Sequence, residues 1–216
     1  MSTKIFLDAG HFLRDSGVIF GPLRENVLAG EAPNLGMMVR DQLKPLLLQY
    51  IVEYVPDELS LAESIAWINV RAKPQDFGIS VHFNGNNNTA VRGTEAYYFN
   101  NPRYAEIFSR KMSEALSIPN RGPKPDTATW VGSLGFLRKL VCPSVVVEVA
   151  YLSNEQDRAV ISRPDAGRNI ARGLAAAVET LFLLPAKEDE IQQKITLLKQ
   201  LIALYQRLIE FLKGRR

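Results

Sequence analysis

The first apolar positions form an unbroken run, Ile5-Phe6-Leu7, that ends at Asp8 and is followed by Ala9-Gly10-His11. A short continuous run closed by glycine predicts a buried strand over residues 4–8 and then a loop. Residues 12–34 are rich in Gly, Pro, Asn and Arg, carry no period, and predict a long loop. From Leu35 the apolar positions Leu35, Met38, Val39, Leu43, Leu46, Leu47 and Tyr50 recur at helical spacing, with Pro45 marking a kink or an early end. Residues 51–55 predict a second strand. Ser60 with Glu63 three residues on is a capping box, so an amphipathic helix is expected to start there. Further strands are predicted at 77–83, 95–99 and 144–152, helices at 102–117 and 165–183, and loops at 84–89 and 120–129. Strands alternating with helices predict a three-layer α/β/α fold around a mainly parallel, mixed sheet.

The pattern changes after Leu184. Residues 185–190 (PAKEDE) read as a polar linker between a domain of residues 1–184 and a C-terminal helix of residues 191–213. In that helix Ile191, Ile195, Leu198, Ile202, Tyr205, Ile209 and Leu212 alternate steps of four and three, as in a coiled-coil seam. A second row, Leu197, Leu201, Leu204, Leu208 and Phe211, runs beside it. The face is wider than a two-stranded coil buries. The helix is therefore expected to bury it in a higher homo-oligomer, against the domain, or on a membrane surface with Lys213, Arg215 and Arg216 at its end. No apolar run reaches the ~18 residues needed to span a bilayer.

Composition changes this picture little. A chain of 216 residues, 46% hydrophobic and 23% charged, suits one α/β domain with an appendage. The net charge of +3 is too small to indicate a partner, and no basic stripe interleaved with aromatics argues for nucleic acid. The lone Cys142 excludes an internal disulfide and a thiolate metal cluster, and its place beside the run 144–149 predicts a buried core residue. The N-terminus moves straight into a strand without the regions of a secretory signal peptide, so synthesis in the cytoplasm is expected.

The candidate chemistry lies at strand ends. The chain holds two histidines, His11 after the first strand and His82 in ISVHFN. Ligands of open α/β sheets gather at the carboxyl ends of strands. Glu148 stands among valines in VVVEVAYL, where a carboxylate is costly unless paired, protonated or near a cation. It is either a buried residue bonded to a neighbouring loop or a general base beside a metal. Glu31 precedes the helix that begins near Leu35, a place that suits any carboxylate. Two histidines and one carboxylate would leave a zinc coordination position open for water. The wide spacing of the two histidines does not itself identify a metal site.

At these residues the chain resembles the zinc-dependent N-acetylmuramoyl-L-alanine amidases of the amidase-3 type. IFLDAGH with Asp15 and Gly17 is similar to the family's opening motif; GEAPNLGMMVRDQL resembles the segment in which a Glu precedes the first helix; ISVHFN followed by GTEAYYF resembles the S-x-H-x-N strand and its successor; VVVEVAYLSN resembles the V-E-x-x-F-x-S-N strand. The likeness spans residues 3–183. It implies Zn²⁺ held by His11, Glu31 and His82, Glu148 as catalytic carboxylate, and cleavage of the amide between the lactyl group of N-acetylmuramic acid and L-alanine in peptidoglycan. Other readings are a different zinc amide hydrolase acting on a soluble peptide or amino sugar, and a wall-binding or scaffold module with a decayed site. Glu25 is the alternative to Glu31. Phe12-Leu13 replace the family's Gly-Gly, Tyr151 replaces its Phe, and no extra helix that would plug the site is recognised. An endolysin-like enzyme, released from the cytoplasm onto the wall, is consistent with this pattern, as are a bacterial lysin acting when the cell itself breaks open and an enzyme secreted by another route.

Overall fold

The computed structural model describes residues 3–11, 15–21, 23–24 and 42–213. Its main sheet has six strands: β1 (Lys4–Ala9), β4 (Ile51–Tyr54), β5 (Phe77–Asn84), β6 (Thr94–Tyr98), β7 (Asn120–Pro125) and β8 (Ser144–Tyr151). They lie in the order β4-β1-β5-β8-β6-β7, with β2 (Ile19–Phe20) and β3 (Leu23–Arg24) forming a separate antiparallel pair. Every pairing in the main sheet is parallel except β6 with β8. This is the mainly parallel mixed sheet that the alternating pattern predicts.

Side chains of a strand alternate between faces, so the layers follow from odd and even positions. Phe6 and Val146 point to one face, where they pack with Ile68 of helix α1 (Leu61–Asn69) and Phe136 and Leu137 of helix α3 (Gly135–Lys139). Phe77 points to the other, where it stacks on Phe108 of helix α2 (Pro102–Leu116) with ring centres 5.8 Å apart. The sheet is thus covered on both sides, as buried β-branched strands require. Gly78 faces the first layer, where a β-carbon would stand 2.8 Å from Leu140. Helix α1 begins with the expected capping box: the Ser60 hydroxyl and backbone N–H both donate to Glu63, at 2.6 and 2.9 Å.

Some elements differ from the sequence expectation. The helix expected from Leu35 falls mostly outside the described residues; residues 42–43 are helical and pass into the 3-10 turn Lys44–Leu46, which contains Pro45. The Pro/Gly-rich segment expected as a loop at 120–129 opens with strand β7. It is an edge strand, paired only with β6, and an edge tolerates Pro123 and Pro125 because one side of its backbone needs no ladder partner. The segment expected as a linker at 185–190 is helical, since α5 runs from Ala166 to Lys213. A further short helix, α4, spans Glu155–Ile161. The chain divides into compact units of Met1–Ala177 and Val178–Arg216, so the division falls inside α5. Within the first unit Gly173 lets α5 come close to α2, where a β-carbon would stand 3.2 Å from that of Ala115. Cys142 is buried in the core, as expected, and burial pushes its thiol up to about 11.

Candidate active site

Strand register brings the chemistry together. Asp8 is the partner of Ser80 across β1 and β5, and His82, two residues on, is the partner of Glu148 across β5 and β8. Glu148 is in turn the partner of Glu95 on β6. Because neighbouring partners point to the same face, these residues form one polar band at an end of the α1/α3 face.

His11 follows the last residue of β1 by two, after Gly10, whose N–H donates to the Val81 carbonyl at 2.8 Å. The bond ties the end of β1 to β5 and places His11 beside His82, ring centres 5.0 Å apart and nearly perpendicular at 79°. Position 10 must be glycine for this approach: a β-carbon there would lie 2.3–2.4 Å from three atoms of the His82 ring. His11 itself sits at a φ of 67°, in the left-handed region. A non-glycine residue enters it at a cost of about 1–2 kcal/mol, so local geometry is subordinated to where the ring points.

Each imidazole is oriented by an oxygen. His11 Nδ1 lies 2.9 Å from Asp15 Oδ2. A neutral ring donating from Nδ1 carries its lone pair on Nε2. Ser80 Oγ donates to Asp8 Oδ2 at 2.6 Å, so it meets His82 Nε2 at 3.1 Å as an acceptor. His82 then carries its lone pair on Nδ1. Carboxylate or hydroxyl partners of this kind fix the tautomer of metal-binding histidines. The separation fits a shared zinc ion. With Zn–N near 2.1 Å and about 1.1 Å from nitrogen to ring centre, two imidazoles at a tetrahedral angle have centres about 5.2 Å apart. Among the described residues no group of three or more His, Cys, Asp or Glu could hold a metal ion. Glu31 and Glu25, the candidates for a third ligand, lie outside the described residues, as do Phe12 and Leu13.

Glu148 is half-buried in a strand whose other residues are all buried, and its Oε2 is sealed from solvent. Beside it Glu95 is enclosed by four hydrogen-bond donors. Its Oε1 accepts from Asn84 Nδ2 at 2.9 Å, Tyr97 OH at 2.8 Å and Tyr151 OH at 3.1 Å, and its Oε2 from Arg121 Nε at 2.8 Å. Burial, with the negative charge of Glu95 adding to it, pushes both tyrosine hydroxyls upward, so they remain donors at neutral pH. Tyr151, which stands where the family pattern has Phe, completes this cluster with its hydroxyl.

The segment after β8 fixes the site's border. Asn154 caps α4, accepting from Asp157 N–H at 3.1 Å, and its amide donates to the Thr89 carbonyl at 2.7 Å. The fully buried Asp157 accepts from the N–H of Gly93 at 2.6 Å and of Tyr151 at 3.1 Å. Gly93, at a φ of 105°, has no room for a side chain, since a β-carbon would stand 2.3 Å from the Pro119 carbonyl oxygen. These contacts hold the loop between β5 and β6 and the start of the strand that carries Glu95.

Sequence reasoning singled out His11, His82 and Glu148, and these meet in space. It overlooked Asp8, Ser80 and Asp15 as orienting groups and Glu95 with Arg121 as a buried ion pair. The signal that marked Glu148, an acid inside an apolar strand, was equally present for Glu95 in GTEAYYF.

A family model described as N-acetylmuramoyl-L-alanine amidase matches residues 5–180. The N-acetylmuramoyl-L-alanine amidase LytC of Bacillus subtilis (strain 168) is 31% identical over 163 residues, covering 71% of this chain and 30% of that protein. The chain thus spans under a third of that relative's length. The catalytic domain of CwlV, an N-acetylmuramoyl-L-alanine amidase from Bacillus (Paenibacillus) polymyxa var. colistinus, superposes with a TM-score of 0.67 at 22% identity, covering 83% of this chain and 97% of that one. AmiC2 of Nostoc punctiforme gives a TM-score of 0.68 at 22% identity, with the same coverage. At such identities the likeness establishes the α/β fold.

Proposed function

The chain belongs to the amidase-3 family of N-acetylmuramoyl-L-alanine amidases, and from that premise we propose that it hydrolyses the amide bond joining the lactyl group of N-acetylmuramic acid to L-alanine in peptidoglycan. The observation that carries the reading is the convergence of His11 and His82, 5.0 Å apart, with Glu148 in register beside His82. In this reading His11, His82 and Glu31 hold a zinc ion. When bound, zinc supplies a Lewis acid for the carbonyl under attack and lowers the pKa of water from 15.7 to about 7.

The protein's own groups do the rest. Asp15 and the Asp8–Ser80 pair keep the two rings in complementary tautomers, each turning a lone pair away from its orienting oxygen. Glu148 takes the proton of the attacking water and returns it to the amine nitrogen of L-alanine as the C–N bond breaks. Its setting supports that role, since Glu148 stands in register beside His82, whose ring lies 5.0 Å from that of His11. The Arg121 guanidinium pairs with Glu95 at 2.8 Å and so offsets the second buried carboxylate beside Glu148.

The test is incubation of the purified protein with peptidoglycan, with zinc and with chelator, followed by measurement of new α-amino groups on L-alanine. Zinc-dependent appearance of those groups is expected. Their absence with zinc present would refute the reading, and new amino groups elsewhere in the stem peptide would assign a different amide bond.

A further inference from the structure

The row of partners through the site continues one strand beyond Glu95. Across β5, β8, β6 and β7 it runs His82, Glu148, Glu95 and then Arg121, where two residues of β7, Arg121 and Gly122, oppose the single Glu95. A bulge of this kind bends an edge strand and re-aims a side chain. Gly122 takes a φ of 78°, and its N–H donates to Asn120 Oδ1 at 2.8 Å. A β-carbon at Gly122 would meet nothing within 4 Å, so the glycine serves the backbone turn and not packing. The turn delivers the Arg121 guanidinium to the edge of the polar band, where its Nε donates to Glu95 Oε2 at 2.8 Å.

Glu95 takes only part of what Arg121 offers. A guanidinium carries five N–H donors in a planar fork. One goes to Glu95 and another bonds the Tyr151 side chain, over whose ring the group lies at 5.2 Å. No second carboxylate among the described residues pairs with it. The Glu95 side chain is 4% exposed and that of Arg121 is 34% exposed, so the pair is sealed at its acid end and open at its basic end. An open guanidinium fork is shaped to take a carboxylate through two parallel bonds. The spacing suits the substrate. Glu148 and Arg121 stand two strand spacings apart, about 9.6 Å. In an extended peptide, a carboxylate on the residue after L-alanine lies roughly 6–7 Å from the alanine nitrogen. A hydrogen bond of about 2.8 Å then closes the distance to the guanidinium. Building on the hydrolysis proposed above, we propose that Arg121 is a specificity-determining residue that binds a free carboxylate on the stem-peptide residue following L-alanine. Glu95 is its positioning residue, fixing the fork through Nε.

Two muramyl peptides test this, identical except that the carboxyl of the residue after L-alanine is free in one and amidated in the other. With the full-length, zinc-loaded protein, kcat/KM should favour the free acid at least ~10-fold, the scale of a charge-assisted pair. Arg121→Lys keeps a cation beside Glu95 but loses the fork, and should cut the preference severalfold. Arg121→Gln with Glu95→Gln removes both charges together, leaves no buried acid unpaired, and should bring the ratio close to one. A role confined to stability would change both peptides alike and leave the ratio where it was. Equal kcat/KM for the two peptides in the wild type, or a preference that persists in the double variant, would overturn the inference while leaving the hydrolysis standing. Cleavage of neither peptide would refute the hydrolysis, and the inference with it.

Discussion

Gly10→Ala puts the claimed site geometry under the sharpest strain with the smallest change. The new methyl would stand 2.3–2.4 Å from Cε1, Nδ1 and Nε2 of His82, where ordinary contact begins at 3.4 Å. The His82 ring must therefore withdraw by about 1 Å or β1 must move away from β5, which the 2.8 Å bond from Gly10 N–H to Val81 resists. A withdrawal of that size breaks the 3.1 Å contact with Ser80 and displaces the lone pair left on Nδ1. Overpacking of this kind costs roughly 1–3 kcal/mol, a fall in Tm of several degrees at this chain length. Misplacing a reacting group by about 1 Å costs on the order of 100-fold in rate. We therefore expect kcat/KM on peptidoglycan to fall about 100-fold and zinc content after dialysis to drop, while circular dichroism stays that of a folded α/β protein. Wild-type zinc content and kcat/KM in Gly10→Ala would refute the reasoning, because the ring could then move without consequence.

Three further outcomes are expected. Ser80→Ala frees the His82 tautomer and should weaken zinc affinity about 10–100-fold, read by competition with a chelating dye, with little change in Tm. Glu148→Gln should keep the metal and lose about 10²–10⁴-fold in turnover, whereas His82→Ala should lose the metal itself; equal zinc in His82→Ala and wild type would contradict the ligand assignment. The pair Asp126–Arg138, bonded at 2.5 and 2.9 Å, holds the Asp126 carboxyl below its ordinary range, chiefly through the bonds from Arg138. A carboxylate depressed on folding stabilises above its unfolded pKa of about 3.9 and loses that contribution as pH falls through the lower folded value. Asp126→Asn should thus lower Tm at neutral pH, and the gap to wild type should close in acid; a gap independent of pH would contradict this.

Local pattern carried much of the fold. The run Ile5-Phe6-Leu7, the Ser60–Glu63 capping box and the valines of 144–149 each specify their element through nearest neighbours alone. Strand β7 was hidden because its Pro and Gly residues are poor strand formers, and only its place at the sheet edge makes them acceptable. The unbroken course of α5 through 185–190 was hidden by a proline and a run of charges that resemble a linker. In the site, His11, His82 and Glu148 announced themselves by residue type at strand ends. Their orienting groups did not, because the contacts of Ser80 with Asp8 and of Arg121 with Glu95 exist only once strands 72 and 26 residues apart are set in register. Register is a property of the whole sheet, and no local window contains it.

The central claim is that two imidazoles distant in sequence clasp one zinc ion. X-ray absorption spectroscopy of the zinc-loaded protein tests it most directly. The account predicts one zinc per chain, nitrogen and oxygen neighbours at about 2.0–2.1 Å, and the multiple-scattering pattern of two imidazoles, reduced to one in His11→Ala. A zinc shell without imidazole scattering, or a pattern unchanged by His11→Ala, would contradict it.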